Sequence, residues 1–463
     1  MIVGQILLLF IFSFFRLYQL PNSLFFFNDW GRDMLVLLKW QQTGLPPLLG
    51  PLTSALPFNQ SAVYFYLLYP GYLLFGGHPI SSVFTLIIFY LIVFVFLFVF
   101  LKKNSNLATS LLITFYLISV HPQFIIQNRF VWNPSFIPPL IFVSIYSFYQ
   151  LQKKYSLFSL WVFSLSISLA ISLSYSAAPL LISLFIYWLI FSRQKIKQYL
   201  FSLFSGFFLF NLPTLLFEIR HSFFLTNQLL NQSPANQYNN DFISRLNSII
   251  SNLFFTNNPP LNQALFFSFI LIIFIVVYFH RHQRGLSFYF SCLFLITLLI
   301  SLLLPLTFHY QYIFPLLCLA ILVISALPKL PKILLVLLLS YHYLKPATLQ
   351  NYFKPARRTY AQMNQCAKDF CQNFKEPIFV STQASFHSFH NGPEHRYLLR
   401  KNGCNVRDIE TENGQAQYMA VVIDDSSFSS RTTYYELELF GKFTDRKTID
   451  CLPNFKIKVL KRN

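Results

Sequence analysis

Charge is what this chain is short of. Only 11% of its 463 residues are charged, where soluble domains carry about 25%. Acids are the scarcest class, 16 against 35 Lys and Arg. With 55% hydrophobic and 19% aromatic residues, apolar runs recur along the first three quarters of the chain. A water-soluble core could not hide so much Phe, Leu and Ile, so lipid is the solvent for much of it. Motifs of soluble chemistry are missing too: there is no Walker loop, GxGxxG, HExxH or serine elbow. No small-residue cleavage site follows the first apolar run, so Met1 to Leu20 reads as a retained signal anchor, with Arg16 snorkelling to the headgroups.

The surplus of +19 does not point to nucleic acid. In the apolar part the cations sit in short clusters between runs: Lys102 with Lys103, Lys153 with Lys154, Arg193 to Lys197, Arg281 to Arg284, and Lys329 with Lys332. Cytoplasmic loops look like this under the positive-inside rule. Spans are expected near 2–20, 80–101, 106–121, 135–151, 156–173, 176–192, 198–217, 263–280, 286–304, 310–327 and 331–346, about eleven in all. With the N-terminus cytoplasmic, every cluster then falls inside. The segment from Ala62 to Phe75 is short and broken by Pro70 and Gly71; counted as a span it would invert all of them, so it is expected to lie in-plane or re-entrant at the outer surface.

This layout leaves the chemistry outside, because only outer regions have room for a site. They are a first loop (21–79), a later loop (218–262), a short turn (121–134) and a polar tail. We expect a transmembrane catalytic domain at 1–346 and an extracytoplasmic α/β domain at 347–463. In the tail, Tyr360, Met363, Ala367, Phe370 and Phe374 share a helical face, and 377–381, 418–423 and 455–460 read as strands. A helix running through EHRYLLRKNG stops at Gly403. Cys366, Cys371, Cys404 and Cys451 all lie in this tail, where disulfides persist. Cys366 and Cys371 sit too far round one helix to bond each other, so each is expected to pair with Cys404 or Cys451, in an order the spacing leaves open. No paired CxxC supports zinc, and no cluster of acids marks a metal site.

The densest chemistry is FFFNDWGRDMLVLLKWQQTG, residues 25–44. Asn28 is placed to cap a helix whose first turn carries Asp29, Arg32 and Asp33. A carboxylate beside a guanidinium stays ionised, as a base must be. An ordinary solvated first turn would also carry acids, to complement the helix dipole. Partners for a leaving phosphate are Arg129, Arg220, His221 and His309; Arg129 is alternatively a headgroup anchor. Glu218, with Arg220 and His221, forms either a second acidic site or an interfacial charge pair. Tyr64, Tyr66 and Trp132 can stack on sugar or prenyl chain, or simply belong to an aromatic belt.

The order of these elements resembles the GT-C glycosyltransferases, in particular the protein O-mannosyltransferase and lipid A aminoarabinose transferase group. The carrying residues are Asp29 after the first span, Arg32, a helix ending at Gly44, Pro46 with Pro47, and the aromatic segment YFYLLYPGYLLFG at 64–76. Trp30 follows Asp29 where relatives often have Glu, and Asn59-Gln60-Ser61 stands where Lys-Pro-Pro is usual. The resemblance implies a GT-C fold of about eleven spans, with in-plane helices in the first outer loop and a small outer α/β domain. It implies a sugar transferred from a polyprenyl-phosphate donor to a glycan, lipid or protein hydroxyl, with inversion, at the outer face of the plasma membrane. Asp29 would be the base, with Asp33 sharing or holding the role. No cofactor is called for, and metal dependence varies within the group. The rivals are a flippase or transporter of lipid-linked sugars, which would place ionisable groups at midplane, and an O-antigen polymerase or ligase, which would lack the folded tail.

Overall fold

The structure, a computed structural model, describes residues 2–53, 59–102, 104–191, 195–231, 242–303, 310–425 and 434–463. It divides into two compact units. One comprises Met1–Tyr18, Pro47–Gly71 and Ser82–Lys354; the other comprises Gln19–Pro46, Tyr72–Ser81 and Pro355–Asn463. The helix that follows the first apolar run is thus grouped with the C-terminal residues.

The first unit is almost entirely helical. Each expected apolar run contains a helix, from Ile2–Leu17 to Lys329–Tyr343. Four of them, among the described residues, are long and apolar enough to cross a bilayer: Ile80–Leu101, Ile196–Arg220, Pro259–His280 and Leu286–Leu303. A fifth is reached if Ser105–Val120 and Pro122–Arg129, bent by 63°, count as one. The bend has a local cause, since Pro122 forces His121 out of the helical region to φ −68°, ψ 129°. Starts are set by side-chain caps: Asn104 accepts from the Leu107 amide and Asn258 from the Leu261 amide. The segment at 62–75 folds as the helix Val63–Leu74.

Helices pack through small polar residues. Ser144 bonds Ser166 at 2.8 Å, Ser164 bonds Ser202 at 2.7 Å, and Ser110 bonds Ser325 at 2.6 Å. In hydrocarbon such hydroxyls let backbones approach and find partners across the interface. The outer faces stay apolar: Phe201 and Phe204 on Ile196–Arg220 are 66% and 69% exposed, which suits lipid and not water.

Arg16 corrects an expectation. It does not reach outward; it is fully buried and donates to the carbonyls of Ser119 (2.7 Å) and Ile118 (2.9 Å). The last carbonyls of the Ser105–Val120 helix lack intrahelical partners, and a guanidinium at that negative end satisfies them.

The second unit holds a four-stranded sheet in the order Ile378–Ala384, Tyr418–Asp424, Phe455–Arg462, Phe443–Leu452. The first pair is parallel and the others antiparallel. The two parallel strands are buried on both faces and therefore read as continuous apolar runs. Phe443–Leu452 is an exposed edge strand, FTDRKTIDCL, which no apolar alternation betrays. Phe379, Met419, Val421, Ile423, Phe440 and Leu460 form the core. The helix Tyr360–Asn373 opens with a capping box of Thr359 and Gln362. Two disulfides staple this helix: Cys366 bonds Cys451 on the edge strand, and Cys371 bonds Cys404 beyond the helix Pro393–Lys401.

Candidate active site

The helix Asp29–Thr43 belongs to the second unit. It ends at Gly44, whose φ of 71° lets its amide close on the Trp40 carbonyl. Its start differs from expectation. Asn28 occupies the capping position, but its side chain makes no cap and its backbone sits at φ 40°, ψ −107°. The Asn28 carbonyl accepts from the Arg32 amide at 2.9 Å, while its own amide donates to Oε2 of Glu394 at 3.1 Å. A remote carboxylate thus takes the place of a local cap.

One face of this helix, with Trp30, Met34 and Leu37, is buried. Gly31 lies on it against the helix Pro393–Lys401, so close that a Cβ would run into the backbone of Pro393 and Glu394. No other residue fits there without shifting one of the helices.

Arg32 binds both acids. Its Nη1 donates to Asp29 at 2.7 Å; its Nε and Nη2 donate to one oxygen of Asp33 at 2.9 and 2.8 Å. The environments of the acids diverge: Asp33 is fully buried, whereas the Asp29 side chain is 36% exposed. Only Oδ1 of Asp29 is engaged among the described residues. Its side chain stays partly exposed beside that cation. Such an arrangement can accept a proton from a hydroxyl brought against it.

Glu394 is the member that the sequence did not reveal. It is 2% exposed. Burial, only partly offset by backbone amides, pushes its carboxyl up to about 7. His395 beside it is pushed down to about 3, by burial first and then by His387, so at neutral pH its contact with Glu394 at 3.6 Å is not an ion pair. The available clue was helical spacing, since Glu394 shares a face with Tyr397, Leu398 and Lys401. Within the same unit, Glu394 and His395 line a small cleft with Phe25, Phe27, Arg358 and His387. Arg357 and Arg358 are tied there to Asp424 and Asp425.

The other candidates lie in the first unit. Arg129 is buried and donates to the carbonyls of Phe15, Arg16 and Tyr18 at 3.0–3.2 Å. Glu218 is buried and receives the amides of Leu225 and Thr226 at the start of Phe224–Asn231. It makes no ion pair with Arg220 among the described residues. Arg220 is exposed, and His221 stacks on Phe217 at 4.0 Å. Tyr64 is buried edge-on against Phe136, Tyr66 donates to the Pro47 carbonyl at 2.7 Å, and Trp132 donates to Gln127 at 2.8 Å. His309 lies outside the described residues. Among the described residues no group of three or more His, Cys, Asp or Glu is placed to hold a metal ion.

No protein-family model and no curated protein matches this sequence. Solved structures do. The crystal structure of ArnT from Cupriavidus metallidurans bound to undecaprenyl phosphate matches with a TM-score of 0.66, over 100% of this chain and 98% of that one, at 11% identity. Its apo state gives 0.62, over 100% and 97%, also at 11%. The chain shares the ArnT fold. ArnT is the lipid A aminoarabinose transferase of the GT-C family, so the mostly helical fold with a small C-terminal sheet expected from the resemblance is the one observed, at a sequence identity that speaks for the fold alone.

Proposed function

We propose that this protein is a membrane glycosyltransferase that moves a sugar from a polyprenyl-phosphate donor to an acceptor hydroxyl outside the cytoplasm. The observation that carries the reading is the Asp29–Arg32–Asp33 cluster, with one acid buried and one open, at the head of a helix in a fold shared with a structure bound to undecaprenyl phosphate. Asp29 is the base. Its carboxylate takes the acceptor's proton, the acceptor oxygen bonds to the anomeric carbon, the bond from that carbon to the phosphate oxygen breaks, and the configuration inverts. Polyprenyl phosphate leaves as the monoester with the electron pair of the broken bond, one negative charge more than the diester bore. Asp33, buried and doubly bonded to Arg32, orients the guanidinium that orients Asp29.

Two observations support the topology. The paired tail cysteines belong in an oxidising compartment, and the basic clusters fit a cytoplasmic N-terminus. The helices of 17 residues or fewer would complete about eleven spans by local bilayer thinning.

The test is transfer of labelled sugar from polyprenyl-phosphate donors in membranes carrying wild type, Asp29→Asn or Asp33→Asn. Turnover that survives in Asp29→Asn removes the base. Uptake of lipid-linked sugar without any transfer product replaces the enzyme by a flippase.

A further inference from the structure

Glu394 stands 366 residues from Asn28 in sequence, yet its carboxylate receives the amide of the residue immediately before the candidate base. Three features set this contact apart from ordinary packing. Asn28 has a positive φ of 40°, a conformation that a non-glycine residue holds only when its surroundings impose it. Both backbone polar groups of Asn28 are then fixed, the carbonyl by the Arg32 amide and the amide by Glu394. Gly31, one turn on, allows the two helices to meet backbone to backbone, so Glu394 cannot drift from the turn it holds. An acid in this position is expensive to bury, and packing alone would be served by an apolar residue of the same size.

We propose that Glu394 is a positioning residue: its side-chain oxygen clamps the Asn28 amide and so sets where the Asp29 carboxylate points. The proposal rests on Asp29 being the base. The titratable and charged groups around the clamp are His395 on the same helix and His387, Arg357, Arg358 and Asp424 lining the cleft, while Asp29, Arg32 and Asp33 pair among themselves on the helix it holds. Because burial brings Glu394 into titration near neutrality, the clamp is strongest when the carboxylate is ionised and weakens as pH falls. Activity therefore gains an acid limb that a neutral amide would lack.

The experiment uses the full chain in nanodiscs, with two readouts for Glu394→Ala, Glu394→Gln and Glu394→Asp. The first is hydrogen–deuterium exchange of the peptide containing Asn28. Faster exchange is expected in Glu394→Ala and Glu394→Asp, and wild-type protection in Glu394→Gln, which keeps an acceptor oxygen in place. The second is transfer kinetics. Glu394→Ala should lose between about 10-fold and 100-fold in kcat with the donor KM unchanged, and Glu394→Gln should restore kcat while flattening the acid limb. Unchanged exchange at Asn28 in Glu394→Ala overturns the clamp, as does a Glu394→Gln variant as slow as Glu394→Ala. Should Glu394→Ala fail to fold, Glu394→Asp carries the test, and wild-type exchange and kcat in it overturn the proposal. The exchange readout does not depend on the base: turnover surviving in Asp29→Asn with exchange at Asn28 still governed by Glu394 refutes the reading of Asp29 and leaves the clamp standing.

Discussion

The two units differ in where their scarce charges pair with one another. In the helical unit, the buried ions answer backbone: Arg16 and Arg129 donate to carbonyls, and Glu218 accepts amides. In the unit with the sheet, the acids near the candidate base and the cleft are paired with cations, Arg32 with Asp29 and Asp33, Arg358 with Asp424, while Glu394 accepts a backbone amide as the ions of the helical unit do. A charge consumed by helix ends is structural, because those groups have no other partner in hydrocarbon. A carboxylate that is paired yet partly exposed, as Asp29 is, remains available to a substrate. The contrast sorts ionisable residues more sharply than position in the sequence does.

The largest effect should come from the open acid. Asp29→Asn is expected to lower transfer by about 10²- to 10⁴-fold, the usual worth of a positioned base, with almost no change in thermal unfolding, because a half-exposed pair contributes little. A large loss of stability would move Asp29 to the structural side of the contrast. Next come the staples. Replacing Cys371 by Ser should cost roughly 2–5 kcal/mol, read as a lowered unfolding midpoint of the full protein. Arg129→Ala should cost about 1–3 kcal/mol through carbonyls left without a donor. Its transfer activity, measured below the unfolding range, should follow the folded fraction, and a specific rise in donor KM would instead make Arg129 a substrate contact.

The smallest effect concerns pH. The Glu394 carboxyl ordinarily titrates near 4.5 and is pushed up to about 7 by burial. A group raised in the folded state contributes stability in full below its unfolded value and loses it as pH rises through the folded one. Glu394→Gln, neutral throughout, should therefore gain stability over wild type between pH 5 and pH 8, by on the order of 1 kcal/mol. An equal difference at both pH values would show that Glu394 is not titrating. His395, held down near 3 by burial, works the other way, its contribution present above 6.5 and fading as pH falls.

Much of this was legible in the residues because it follows from local periodicity. Apolar runs marked the helices, and the double-faced burial of Ile378–Ala384 and Tyr418–Asp424 left continuous hydrophobic strands to be read. The edge strand Phe443–Leu452 was invisible for the complementary reason, since its side chains face water on both sides. The Asp29, Arg32 and Asp33 spacing showed that three charges share a turn, but not which acid is buried.

The sequence alone therefore determined the solvent, the helical runs, the disulfide-bearing tail and the segment that carries the acids, all of which are properties of windows of a few dozen residues. Tertiary structure decided that Asp33 is sealed while Asp29 is open, that Arg16 and Arg129 serve helix ends, and that Glu394 holds Asn28 from hundreds of residues away. Burial and hydrogen-bond partnership depend on what packs against a side chain. That is a property of distant segments brought together, and no local pattern encodes it.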